Sequence, residues 1–412
     1  MSTASSDTTR RTNPKLQLTL TAALLSMVGP FSINAYLPSF PDIEAAFGVS
    51  RVLLSQSLTV YLVAFAISTL FWGPLSDRIG RRKTLLASMS LYLVASIGCA
   101  LATDAHSFVL LRAGQGLAAS GGFIIGRSMI RDSYDTRSAQ KAMAHVTLIF
   151  ALGPAIAPIV GGWLQEQFGW RSIFWFLGSF GLLLLLLGLA IKETLPEDKR
   201  SSFHPYEVGI AYWKITRHTQ FVCLIFSLSM GFGGVFVYIA GAPTVIYKFL
   251  GLTTNDFGLQ FIPMVAGMML GSYYAGRKSQ YWPPARTLFT GFAIMAIATV
   301  LNLFLSLNST ATIFTVIAPL ALYAFGYAML MPVITILALD YFPQRRGSAT
   351  SMQGFVQVAI SATVTSIAIP LLHDSRLSFA IGQLLFLCVA VALILIYYTI
   401  EKRAAAQESK IC

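Results

Sequence analysis

An acid and a run of cations stand close together in the segment Gly73-Pro-Leu-Ser-Asp77-Arg78-Ile-Gly80-Arg81-Arg82-Lys83. The two glycines permit a tight turn and a close approach of helices. The carboxylate can accept hydrogen bonds from the N-terminus of a neighbouring helix. A second acid follows a later apolar run, so we expect a latch of charge pairs formed by Gly73, Asp77, Arg78, Gly80, Arg81, Arg82, Arg131 and Asp132. The alternative is a basic loop that only sets membrane topology.

Two other ionisable side chains, Arg112 and His145, interrupt long apolar runs. An arginine inside a membrane span usually faces a cavity or a partner, although a structural arginine bonded to helix carbonyls is the alternative. The depth of Asn34 in the first run matches that of Arg112, so we expect the two to face one another. His145 titrates near neutral pH and is a candidate proton carrier, with a packing histidine as the alternative.

The composition indicates that lipid surrounds most of the chain. Of its 412 residues, 55% are hydrophobic and only 11% are charged, against roughly 25% charged in a soluble domain. Apolar runs long enough to cross a bilayer recur along the sequence. They predict an all-α membrane protein with twelve spans, near residues 16–40, 52–75, 84–103, 107–130, 139–163, 171–191, 218–248, 255–276, 286–306, 311–340, 347–372 and 377–400.

The net charge of +12 is a topology signal in this setting. Lys and Arg are concentrated in one set of loops, which predicts that those loops and both termini lie in the cytoplasm and argues against nucleic-acid binding. The longest polar stretch divides the chain. We predict an N-terminal tail (1–15), a six-helix bundle (16–191), a linker (192–217), a second six-helix bundle (218–400) and a C-terminal tail (401–412).

A weak internal repeat supports this division. Pro38, Gly48 and Gly73 have counterparts about 200 residues later, in Pro243, Gly251 and Gly271. Repeats of this kind build two pseudo-symmetric bundles with the binding site between them.

The Gly73–Lys83 segment resembles the signature loop of the major facilitator superfamily, and further motifs extend the resemblance over almost the whole chain. Tyr36-Leu37-Pro38, Arg131-Asp132 and Gly347–Gly354 resemble its Bcr/CflA drug-resistance branch. The resemblance implies a bacterial inner-membrane exporter of small molecules, driven by inward proton flow and monomeric. It also implies a central pocket, for which the candidates are Asn34, Tyr36, Arg112, Gln115, His145, Phe232, Tyr238, Tyr323 and Tyr327.

The fifth span resembles the superfamily's antiporter motif, through Gly153, Pro154, Pro158, Gly161 and Gly162. Two prolines and three glycines on one helix predict a bend and a flat face for close packing. In the superfamily this contact prevents leakage and favours export. An ordinary kink is the alternative.

The sequence departs from the branch where Asn34 stands in place of its usual aspartate, and no Asp or Glu lies in the interior of a predicted span. Arg112 therefore lacks a fixed counter-ion, which suggests an anionic or zwitterionic cargo such as a carboxylate siderophore. Importers of the same fold and non-transporting sensors remain alternatives. The histidines and cysteines form no metal-ligand pattern, and there is no phosphate-binding loop, so we expect no cofactor and no enzyme.

Overall fold

The computed structural model describes residues 14–200, 205–278, 281–343 and 346–411, and this part of the chain contains helices and no β-strand. Most of the predicted N-terminal tail lies outside the described residues. The first half contains α1 (Pro14–Asn34), α2 (Phe40–Phe47), α3 (Arg51–Ile79), α4 (Arg81–Leu101), α5 (Ala105–Ser133), α6 (Thr136–Phe168) and α7 (Arg171–Ala190).

A short helix in the predicted linker, α8 (Pro205–Thr216), leads into the second half. That half contains α9 (Thr219–Ala240), α10 (Phe257–Lys278), α11 (Pro284–Asn308), α12 (Ile313–Asp340), α13 (Arg346–Thr363), α14 (Ile369–Leu372) and α15 (Arg376–Ile411). Two π-helical segments, Thr244–Phe249 and Val364–Ala368, follow α9 and α13. The last helix continues through the predicted C-terminal tail to Ile411.

The two halves use the same helix pairings. In the first half α3 packs on α5, α4 on α5 and α7, and α1 on α6; in the second, α10 packs on α12, α11 on α12 and α15, and α9 on α13. The repeat extends to backbone conformation, because Gly48 and Gly251 both adopt positive φ, at 62° and 64°. That conformation is unfavourable for residues with a Cβ, which explains glycine at both positions.

Glycines allow the tightest of these helix contacts. A Cβ on Gly116 of α5 would lie 2.1 Å from the carbonyl oxygen of Tyr61 on α3, and one on Gly271 of α10 would lie 2.1 Å from the carbonyl oxygen of Phe325 on α12. The same pairing therefore depends on a glycine in both halves, but the glycine is on the opposite member of the pair. Close backbone approach is the usual way in which helices associate without a hydrophobic driving force in lipid.

Eleven of the described helical segments are long and apolar enough to cross a membrane. The predicted eighth span, α10, is not among them because Gln260, Pro263, several glycines and tyrosines and two terminal cations interrupt its apolar residues. It nevertheless packs against both α6 and α12, as a spanning helix would. Large apolar side chains point outward elsewhere, including Leu110, Phe289, Phe314 and Leu371, each more than 70% exposed.

We call the end of the bundle that carries the Arg78–Lys83 cations the basic end. Contacts between the halves are found at the other end. The Tyr247 hydroxyl donates to the Pro38 carbonyl oxygen at 2.5 Å, and the Asn255 amide donates to the Glu166 carboxylate. At the basic end α13 approaches α5, where a Cβ on Gly347 would lie 4.0 Å from Nη1 of Arg131.

Candidate functional site

Arg81 is the centre of the predicted latch. Its side chain is almost completely buried, and Nη2 lies 2.5 Å from Oδ1 of Asp77 while Nε lies 2.7 Å from Oδ2 of Asp132. The remaining terminal nitrogen donates to the Ser76 hydroxyl at 2.5 Å. One guanidinium therefore joins the end of α3 to the end of α5 from the first turn of α4. Such charge-assisted contacts are stronger than neutral hydrogen bonds.

Glu193 completes this arrangement, and the sequence reasoning did not single it out. Its carboxylate accepts from the backbone N–H of Arg81 at 2.9 Å and of Arg82 at 3.2 Å, which are free donors at the start of α4. Gly80 adopts φ 101°, and a Cβ there would lie 2.5 Å from Oε2 of Glu193. An acid just after the sixth span was the available signal, because helix N-termini favour negative charge.

The other predicted latch residues are more peripheral. Arg131 is 65% exposed and its Nε lies 3.8 Å from Asp132, while Arg78 is exposed and makes no ion pair with a described residue. Arg82 donates from Nη2 to the Leu189 carbonyl oxygen at 2.8 Å. Gly73 is adjacent to Ile124 of α5. The contacts thus bring together Arg81, Asp77 and Asp132, and they lie within the first half.

Arg112 lies inside the first bundle and has no solvent exposure. Nη1 donates to Oε1 of Gln115 at 2.7 Å and Nη2 to the Ser32 carbonyl oxygen at 2.9 Å. The guanidinium carbon also lies 4.3 Å from the ring centroid of Tyr36 and 4.5 Å from that of Tyr61. Two acceptors and two ring faces therefore stabilise the cation without a carboxylate.

A hydrogen-bonded network surrounds this arginine. Gln115 donates to the Ser96 hydroxyl at 2.7 Å, and the hydroxyls of Ser32 and Tyr92 are 2.6 Å apart. Tyr61, Tyr92 and Ser96 were not among the sequence candidates. The sequence pointed to them only weakly, because tyrosine and serine in an apolar helix are usually packing residues. The network fixes Gln115 and gives Arg112 one orientation.

Asn34 is buried at the end of α1 but its amide turns back along its own helix, where Nδ2 donates to the Pro30 carbonyl oxygen at 2.8 Å. Arg112 instead contacts the backbone of Ser32. The end of α1 and Arg112 are therefore at the same depth, as predicted. No hydrogen bond joins the side chains of Asn34 and Arg112, however. Oδ1 of Asn34 has no hydrogen-bond partner among the described residues.

His145 lies on a different surface from Arg112. It is exposed on α6 and shares a helical face with Leu152, Ile156 and Trp163, which are exposed apolar side chains. That face is typical of contact with lipid. At a rise of about 1.5 Å per residue, His145 is also about 35 Å from the end of α6, whereas Arg112 is about 10 Å from the start of α5 at that same end of the bundle.

In the second half the aromatic candidates form a separate cluster. The rings of Phe232 and Tyr327 are 5.5 Å apart, and the Tyr327 hydroxyl accepts from Nε2 of Gln357 at 3.3 Å. Tyr323 is buried and donates to the Gly231 carbonyl oxygen at 3.2 Å. These contacts bring α9, α12 and α13 together without an ionised side chain.

Tyr238 belongs to a neutral amide network that the sequence analysis missed. Its hydroxyl accepts from Nδ2 of Asn302 at 2.6 Å, and the same nitrogen donates to Oε1 of Gln383 at 2.8 Å. Gln260 donates to the Tyr238 carbonyl oxygen at 2.7 Å. A cavity of about 10 Å³ adjoins Tyr238, enough for one water molecule. Asn and Gln inside apolar runs were the signal for this network.

The glycines of the antiporter-type helix, α6, contact both α1 and the other half of the protein. Cβ atoms on Gly153 and Gly161 would lie 2.7 Å from Cβ of Pro30 and 1.8 Å from the Ala35 carbonyl oxygen, so both face α1. A Cβ on Gly162 would lie 2.3 Å from the carbonyl oxygen of Thr254, in the other half. Pro154 and Pro158 lie in the same helix, α6. The helix therefore packs closely within its bundle and across the boundary between the halves.

Comparison with known proteins agrees with this architecture. The family model of the Major Facilitator Superfamily matches residues 22–366 and 240–410. An uncharacterized MFS-type transporter of Bacillus subtilis is 30% identical over 90% of this chain and 95% of its own length. A bicyclomycin resistance protein homolog of Haemophilus influenzae is 27% identical over 93% and 96%, and multidrug resistance protein D of Escherichia coli is 25% identical over 90% and 95%.

The xylose transporter XylE of E. coli, solved in a partially occluded inward-open conformation, superposes with a TM-score of 0.74 at 16% identity, over 93% of this chain and 97% of that one. This likeness concerns the fold and confirms the prediction of twelve helices in two bundles. The family match and the drug-resistance relatives confirm the predicted family and the expectation of no enzyme. The chain belongs to the major facilitator superfamily, as a multi-pass membrane transporter related to its drug-efflux members.

Proposed function

We propose that this protein is a monomeric secondary active exporter of small molecules, including drugs, in the bacterial inner membrane, with its basic end and both termini in the cytoplasm. The observation that carries the proposal is the uneven joining of the halves. Direct contacts, such as the hydrogen bond between Tyr247 and Pro38, hold them together at the end opposite the basic end. These contacts, and the packing of α3 on α13 and of α6 on α10, must loosen for that end to open in turn, which is what alternating access requires.

Glycine packing supports the direction of transport. Gly162 is the position where α6 approaches the backbone of Thr254 across the boundary between the halves. A close fit at this end restricts leakage of ions and cargo past the closed transporter. Together with relatives named for bicyclomycin and multidrug resistance, this favours export over import.

Proton coupling is part of the proposal but its carrier is not a membrane carboxylate. In the described part of the chain every Asp and Glu lies in a loop, near a helix end or, as with Glu401 on α15, beyond the predicted span. His145 shares a face with exposed apolar residues, which makes it a poor carrier. The lack of an internal carboxylate supports a mechanism in which the cargo itself exchanges a proton or a charge.

The test is transport by the purified protein in liposomes that contain a pH-sensitive dye. A proton gradient is imposed, and cationic, neutral and carboxylate cargos are added in turn. We expect cargo-dependent proton movement for at least one class, with no change in the His145→Ala variant. Cargo movement without a proton signal would contradict coupling, and no cargo movement in any class would contradict export.

A matched pair of variants checks the role of the seal. Gly162→Ala adds a methyl group 2.3 Å from a backbone oxygen of the other half, whereas Gly276→Ala on α10 adds one with no heavy atom within 4 Å. We expect Gly162→Ala to increase passive proton leak and to lower coupled transport severalfold. Gly276→Ala should resemble the wild type, and equal leak in the two variants would exclude a sealing role.

A further inference from the structure

Arg127 is a second arginine on α5, besides Arg112. It belongs neither to the latch nor to the Arg112 network. Its guanidinium carbon lies 4.0 Å from the ring centroid of Phe123, one turn earlier on α5. Among the described residues, its buried Nε has no hydrogen-bond partner and no carboxylate lies within ion-pair distance of the guanidinium. Arg112, by contrast, has two oxygen acceptors and two close rings.

Arg127 lies on the face of α5 between the residues that pack on α1 and those that pack on α3. On one side a Cβ on Gly126 would lie 3.3 Å from Cα of Ala22 on α1, and on the other Ile124 lies next to Gly73 of α3. Phe123 and Arg127 occupy the face between these contacts, because residues four apart stack on one face of a helix. No extensive packing joins the described residues of α1 to α3, so these two helices do not close over this face.

The same face points toward the second half. The first bundle meets the second through α3, which borders this face and packs on α13, and through α6, which packs on α10. From α6, Phe150 approaches to 5.8 Å from Phe123, centroid to centroid. Arg127 therefore lies over the Phe123 ring, which has Phe150 as its neighbour, beside the space between the halves and toward the basic end.

An arginine held in a membrane span without a counter-ion is costly, and such residues generally mark a ligand or ion pathway. A single ring face offsets only part of this cost. The guanidinium presents a fork of donors that matches a carboxylate in two parallel hydrogen bonds. The two rings beside it suit an apolar or aromatic body attached to that carboxylate.

We propose that Arg127, stacked on Phe123, binds the carboxylate of an amphiphilic organic-acid cargo, whose apolar part packs on Phe123 and Phe150. This rests on the proposed function and names the cargo class for it. It also relocates the expectation of an anionic cargo from Arg112, because Arg112 has no exposure and its acceptors are already present.

Binding to the purified full chain tests the proposal without any transport step. The probes are 1-pyrenebutyrate and a trimethylammonium analogue with the same pyrene body, followed by fluorescence anisotropy in uncharged micelles against protein-free micelles. We expect the wild type to bind pyrenebutyrate more tightly than the ammonium probe. Arg127→Gln should weaken pyrenebutyrate binding at least tenfold and leave the ammonium probe within about twofold. Arg127→Lys should retain part of the affinity.

Arg286 provides the control, since it also stacks on an aromatic ring, Trp282 at 4.7 Å, but is exposed at a helix start. Arg286→Gln should leave both affinities unchanged. Unchanged pyrenebutyrate binding in Arg127→Gln, equal loss of both probes, or no pyrenebutyrate binding by the wild type would each overturn the proposal.

Chemical modification of the wild type keeps the test independent of whether Arg127→Gln folds. Phenylglyoxal labels accessible arginines, and the extent at Arg127 is read by mass spectrometry. We expect pyrenebutyrate to protect Arg127 and the ammonium probe to leave it reactive. Equal labelling with both probes would overturn the assignment. Because none of these measurements uses a proton gradient, a transporter that fails the liposome test can still pass this one, and the reverse.

Discussion

The two halves share their helix pairings but differ in the chemistry at their centres. In the first half a buried cation, Arg112, is held by oxygen acceptors and tyrosine rings. In the second half, the neutral amide of Asn302 donates to both the Tyr238 hydroxyl and Oε1 of Gln383. A common scaffold thus carries a charged network on one side and an uncharged one on the other.

The halves also differ in helix regularity. Both π-helical segments of the described chain, Thr244–Phe249 and Val364–Ala368, belong to the second half, at the end where the halves meet. A π segment has weaker, wider hydrogen bonding and is frequently found at functional sites. The difference suggests a division of labour, in which the first half keeps fixed charges in place and the second half supplies the helices that bend.

The largest expected effect is loss of stability in Arg112→Ala. The variant removes a completely buried side chain and leaves Gln115 and the Ser32 carbonyl without their donor, so we expect a cost of about 2–5 kcal/mol. In the second half, Asn302→Ala removes two neutral hydrogen bonds and should cost about 1–2 kcal/mol. Denaturant unfolding of both variants in the same detergent gives the comparison. Equal costs would mean that the charged network is no more structural than the neutral one.

Helix packing is where the halves should behave alike. Gly116→Ala and Gly271→Ala each add a methyl group 2.1 Å from a backbone oxygen of the paired helix. Both should destabilise the protein by about 1–3 kcal/mol, because backbone atoms cannot move aside as a side chain can. Gly276→Ala, on the same helix as Gly271, is the control and should change stability little. Thermal unfolding measures the stability of each variant. A loss of stability in only one of the two variants would show that the two scaffolds are not equivalent.

The latch is expected to affect transport more than stability. Asp132→Asn keeps the shape of the side chain but removes one of the two carboxylates that hold Arg81, at a cost of about 1 kcal/mol. If the contact must form and break in each cycle, transport should fall about tenfold while the protein still folds. Glu44→Gln, which removes a surface partner of Arg51, should leave both properties close to wild type. Wild-type transport by Asp132→Asn would show that the ion pair is only structural.

The helical scaffold could be predicted from the sequence because the signals that specify it are local. Apolar run length, the clustering of cations and the glycines at Gly48 and Gly251 depend on a few neighbouring residues, and the structure follows them. The eighth span has a lower mean hydropathy because Gln260, Pro263, glycines and tyrosines interrupt its apolar residues, although the helix packs on both α6 and α12. Local pattern therefore predicted the number of helices even where their composition was atypical.

The sites were less predictable because they depend on which way a helix is rotated. The pattern showed that Arg112 lies within a span, but its orientation into the bundle depends on the rings of Tyr36 and Tyr61, which come from elsewhere in the chain. The exposed face of His145 depends in the same way on how α6 packs. Arg127 was overlooked because it lies close to the cationic end of its span, where an arginine is expected on topological grounds.

The smallest expected effect concerns the N-caps of two equivalent helices, one charged in the first half and one neutral in the second. The equivalent helices α5 and α12 begin after Asp104 and Thr312, whose side chains accept from the N–H three residues on, at 2.9 and 3.2 Å. Hydrogen bonds from Ser107 lower the pKa of Asp104 below its usual range, so the stabilisation is present above the unfolded pKa and is lost as pH falls through the lower folded value.

Asp104→Ala and Thr312→Ala should both lower the melting temperature slightly at neutral pH, because each removes an N-cap. As the pH is lowered past the carboxyl pKa, the difference between wild type and Asp104→Ala should shrink, since the wild-type cap becomes protonated and loses its charge. The difference for Thr312→Ala should stay constant, because a hydroxyl does not titrate in this range. Melting curves of the three proteins at a series of pH values measure this. A pH-independent effect of Asp104→Ala would mean that its charge contributes nothing, and that the charged character of the first half is confined to its interior and its latch.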